Sequence, residues 1–160
     1  MNDTMPQASS GGPALALDLL RKDHHQIDQL LDQYGLIAHS SGSFADRQGL
    51  VARIGALFNA LHGVKEQLVY PLLTQRLSLE LLQSAQEDHR LLCRQLKMVA
   101  ASEAKDSIDI DMQTFAEHLR AYFAMEEERL FPHVAQFDSV ELGQQVALRR
   151  SAALGDQGAD

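Results

Sequence analysis

His62 and Glu66 stand four residues apart in the stretch Leu61-His62-Gly63-Val64-Lys65-Glu66-Gln67-Leu68-Val69-Tyr70-Pro71. On a helix that spacing stacks an imidazole over a carboxylate on one face. The same stretch continues an apolar pattern through Ile54, Phe58, His62, Glu66 and Val69, so this face is expected to turn toward a core. A carboxylate buried there without a partner costs on the order of several kcal/mol, so Glu66 needs a cation. A metal ion is such a cation, and His62 is a natural second ligand.

Further donors recur along the chain. Asp23-His24-His25-Gln26-Ile27 is echoed by Asp88-His89-Arg90-Leu91-Leu92, and His62-xxx-Glu66 before Tyr70-Pro71 is echoed by Tyr122-xxx-Glu126 before Phe131-Pro132. Each residue has a plain alternative. A single stripe histidine is more often a hydrogen-bonded core residue than a ligand, and Glu126 belongs to the charge run Glu126-Glu127-Glu128, which ordinarily marks a solvated face. Yet His24, His62, Glu66, His89, Tyr122 and Glu126 all fall on the apolar stripes of their own segments, where polar groups are costly. Six convergent groups call for one shared reason, and metal binding supplies it. The mixed imidazole and carboxylate set, with no thiolate motif, favours iron or manganese and leaves zinc open.

The elements that must position these groups are helices. Leu15, Leu17, Leu20, His24, Ile27, Leu31 and Tyr34 recur at three and four residues, predicting a helix from about Ala14 to Ala38. A second helix runs through Leu50, Ile54, Phe58 and Leu61 toward Pro71, which should kink or loosen it. A third carries Leu82, Ala85, His89, Leu92, Leu96 and Val99, and a fourth carries Met112, Phe115, Leu119, Tyr122, Glu126 and Leu130. Val140 to Leu154 is a weaker fifth segment, with Arg149 and Arg150 expected in solvent. The fold class is therefore all-α, an up-down-up-down four-helix bundle with a short extra C-terminal helix. Residues 1–13 are expected to be a disordered tail, 14–138 the bundle and 139–160 the C-terminal helix and tail.

Composition narrows the function. The 160 residues suit one domain with a real core, and 45% hydrophobic residues with four prolines agree with a helical protein. A formal charge of -8 argues against nucleic acid or an anionic membrane as partner, since both need basic patches. A single cysteine, Cys93, excludes an intramolecular disulfide framework and a CxxC site. No apolar run reaches the length of a membrane span, and the polar start lacks the features of a signal peptide, so a cytoplasmic protein is expected.

The combination of His24, His62-xxx-Glu66, His89 and aromatic-xxx-Glu126, with Tyr-Pro or Phe-Pro after each pair, resembles the hemerythrin-like (HHE cation-binding) proteins over about residues 15 to 135. The resemblance implies a bundle around a non-haem di-iron centre, for which an oxo bridge is one form. His24, His62 and His89 would be terminal ligands, Glu66 and Glu126 bridging carboxylates. It also implies a small-molecule partner: O2, peroxide or NO. Tyr122 departs from the pattern, which has histidine there. It is either an inert filler that leaves one metal position open or a phenolate ligand, and both argue against simple O2 carriage. His118, one turn earlier, is a weaker substitute. Three functions follow from the resemblance: peroxide consumption, sensing or storage of O2, NO or iron, and repair of iron centres. A bundle whose histidines only fill the core is the rival to all three.

Overall fold

The computed structural model describes residues 12–155. Residues 1–11 of the expected tail, and 156–160, lie outside the described residues. Helix α1 spans Ala16–Ala38 and α2 spans Phe44–Val64. A π-helical turn, Lys65–Val69, carries α2 into the short α3, Tyr70–Leu73. Helix α4 spans Leu79–Ala100 and α5 spans Lys105–Met125. A second π turn, Glu126–Leu130, leads into α6, Phe131–Val134, and α7 spans Val140–Gly155.

Local chemistry sets these boundaries. Ser43 and Asp46 form a reciprocal capping box at the start of α2, each accepting the other's backbone N–H at 3.0 Å. Ser78 caps α4 by accepting from Leu81 N–H at 3.3 Å. Helix α1 has no cap of its own; its Ala16 and Leu17 N–H groups donate to the two carboxylate oxygens of Asp138, each at 3.0 Å. Pro71 and Pro132 each lack the N–H that would continue the preceding turn, and in both places the chain takes up an extra residue as a π turn just ahead.

Four long helices pack in a closed ring, α1 beside α2, α2 beside α4, α4 beside α5 and α5 beside α1. Leu20, Ile27, Ile54, Phe58, Leu92 and Phe115 fill the middle. Helix α7 lies across α1 and α2. Arg149 is exposed, as expected, and donates to Gln67, but Arg150 is not a free solvated group: it donates to Asp23 at 2.6 Å and to Gln26 at 2.9 Å. Buried Asp23 needs a counter-charge, which α7 supplies. Among the described residues no helix is long and apolar enough to cross a membrane.

Candidate metal centre

The two π turns bring the polar groups to the centre of the bundle, and they do so in register. Lys65 stands six residues before Pro71, and Glu126 stands six before Pro132. Each opens its π turn, and each is buried, Lys65 at 3% and Glu126 at 1% exposure. The counterpart of Glu126 in the first hairpin is therefore Lys65, not Glu66. The counterpart of Tyr122, ten residues before its proline, is Leu61 rather than His62.

Lys65 is held from several sides. Its ammonium donates to Glu126 and, at 3.1 Å, to His24 Nε2. It also lies 5.4 Å from the centroid of the Tyr122 ring and 5.3 Å from that of Phe123. Because Nε2 accepts from Lys65, the His24 proton sits on Nδ1, which donates to Glu127 at 3.1 Å. Phe123 stacks on the His24 ring at 3.8 Å, with Phe131 at 5.4 Å. Burial pulls Lys65 below the usual lysine range, with Glu126 pushing it back up. Burial alone would raise Glu126, but the charge and hydrogen bond of Lys65 hold the carboxyl below its ordinary value.

Tyr122 closes this network. Glu126 only accepts, so Tyr70 donates to it at 3.2 Å, and the Tyr122 hydroxyl in turn donates to Tyr70 at 2.5 Å. Burial, with the charge of Glu126, raises both phenols. Tyr122 is thus tied to Glu126 through Tyr70, as the outer member of a hydrogen-bonded chain.

The remaining sequence candidates lie on a different side, at the seam of α2 and α4. Stacked on one another, the His62 and His89 rings have centroids 3.2 Å apart. Cys93 Sγ lies 3.1 Å from His89 Nε2, and Glu66 Oε1 lies 3.8 Å from His62 Nε2. Glu66 is not the buried bridge expected of it: its side chain is 46% exposed, against 27% for His62. His62 Nδ1 is buried without a hydrogen-bond partner. Burial lowers His62, and lowers His89 to about 3, with the neighbouring charges of His62 and Lys65 adding to the effect. Burial also pushes the Cys93 thiol up.

His118 is paired with Gln95 at 2.7 Å on the exposed side of α5 and takes no part in either group. His25 faces outward. Lys65, Tyr70 and Glu127 were not among the candidates. Counting back from the two prolines is the sequence signal that finds Lys65.

The family model for the hemerythrin HHE cation binding domain matches residues 15–134. The chain belongs to that family. No curated protein and no solved structure matches it. The family description makes a bound cation the expectation for this hemerythrin-type bundle, and the donors present can be tested against it. A bridged metal pair needs two inward carboxylates between imidazoles. Here one of the two matching positions holds an ammonium, which already occupies Glu126 and the free lone pair of His24. Glu66, the other expected bridge, points toward solvent. The six residues expected to share one site are split into two groups, and they do not fit a bridged pair. Among the described residues, no three imidazole, thiol or carboxylate groups converge on one point.

Proposed function

We propose that this hemerythrin-type chain binds a single metal cation at the α2–α4 seam, through His62, Glu66, His89 and Cys93. It acts there as a binding or sensing module for the cation and a small ligand of the O2, peroxide or NO class, not as a peroxide-consuming metal pair. One observation carries this reading: two facing helices each present a one-turn pair of donors, the four side chains run in the order Cys93, His89, His62, Glu66, and within that row His62 Nδ1 is buried without a partner. Paired donors one turn apart are the way a helix grips a metal. Both imidazoles are kept neutral by burial, which is the form that ligates. Rotating the two stacked rings apart would open a space among the four groups. Sulfur, two nitrogens and a carboxylate suit zinc or ferrous iron better than manganese. An apolar groove of about 510 Å³ between α2 and α4, lined by Gly55, Asn59, Cys93 and Leu96, reaches Cys93 and gives a small uncharged ligand a path to it.

The test is metal stoichiometry on chelator-stripped protein titrated with Zn2+ and with Fe2+ under anaerobic conditions. The expected result is about one cation per chain, abolished in His89→Ala and weakened in Cys93→Ser and Glu66→Gln, with His24→Ala and Glu126→Gln retaining it. Binding that ignores His89 and Cys93 but is lost with His24 and Glu126 would overturn the assignment.

A further inference from the structure

We infer that Lys65 is the resident cation of the other half of the core: its ammonium takes the place of a metal ion between α1, α2 and α5. Three independent observations support this. The first is register. Lys65 occupies in the first hairpin the place that Glu126 occupies in the second, at the head of a π turn six residues ahead of a proline. The second is surroundings. The ammonium meets a carboxylate, an imidazole nitrogen and two aromatic faces, the donor set a cation would collect. The third is isolation. Glu126 is 1% exposed, and its partners other than Lys65 are His24 and Tyr70, which bring no fixed positive charge. An ordinary buried ion pair would share the second feature but not the first, in which a charge-reversed residue sits at a carboxylate position.

The inference makes no use of the seam. It predicts that reversing the charge recreates a metal position. Lys65→Glu places two carboxylates together beside His24. In the presence of chelator this variant should melt several degrees below wild type. Zn2+ or Mn2+ should then restore its melting temperature and add one cation per chain beyond the wild-type number, and the added cation should disappear when His24→Ala is combined with Lys65→Glu. If folded Lys65→Glu takes up no more metal than wild type, the inference fails. It also fails if wild type binds a cation that His24→Ala or Glu126→Gln removes, because Lys65 then yields its place. Should Lys65→Glu not fold even with metal, Lys65→Met and Lys65→Met/Glu126→Met decide. The double variant is expected to melt well above the single one, and equal melting of Lys65→Met and wild type would overturn the inference. Should the seam bind nothing while Lys65→Glu still gains a cation, the seam reading alone falls.

Discussion

At the scale of single residues, the centre of this protein is governed by one charge. Removing the Lys65 ammonium strands a fully buried carboxylate, and breaking such a pair from one side costs on the order of 3–5 kcal/mol. Urea denaturation of Lys65→Met should show that loss. Tyr122 is expected to act only through its hydrogen bond to Tyr70, so Tyr122→Phe should cost about 1 kcal/mol and leave any visible band of the metal-loaded protein unchanged. A band that vanished would mean a phenolate after all. Asp109 shows how pH enters. Arg47 donates to it at 2.8 and 3.0 Å, and the Tyr34 hydroxyl donates at 2.7 Å. The hydrogen bond from Arg47 is the main cause that holds this carboxyl below the usual range. A depressed folded value means that the stabilisation is complete above about pH 4, the ordinary aspartate value, and is lost as pH falls through the lower folded value. Between pH 5 and 2, Asp109→Asn should therefore lose less stability than wild type, as followed by circular dichroism.

At the scale of elements, most of the bundle was legible. Apolar residues at three and four spacing located all four long helices, because burial against neighbours imposes that period directly. What the period does not register is a rotation of one residue. His62-xxx-Glu66 and Leu61-xxx-Lys65 are equally good pairs on a helix, and they differ by only about 100° of facing. Helix α2 gives little help in choosing, since Gly55, Ala56 and Ala60 make its surface small and apolar on several sides. The π turn before Pro71 settles the facing by turning Lys65 inward and Glu66 outward. Arg150 escaped for another reason: its partner Asp23 lies at the far end of the sequence, and no local pattern reports such a pairing. Helix α7 makes a further demand. A Cβ on Gly143 would sit 2.1 Å from the Ala14 carbonyl oxygen, so Gly143→Ala should cost about 1–3 kcal/mol in thermal or urea unfolding. Asp138→Ala removes the acceptor of two buried N–H groups of α1 and should cost about 2 kcal/mol.

At the scale of the whole molecule, α7 and the turn before it belong to the bundle. Asp138 caps α1, Gly143 lets α7 approach it, and Arg150 neutralises Asp23 one residue from His24. Truncation after residue 138 should therefore lower the melting temperature by more than the loss of one surface helix. A stripped sample offers a complementary check: with chelator, the helical signal should persist and the melting temperature should fall only slightly, because the central charge is supplied by the chain. That last feature bears on supply. A core closed by a free ion gains stability with the logarithm of that ion's concentration and loosens when it becomes scarce. A tethered ammonium has no dissociation constant and cannot be outcompeted. The closure of the central core should then be the same in metal-starved and metal-replete surroundings, and only the small increment contributed by a cation at the seam should follow metal availability.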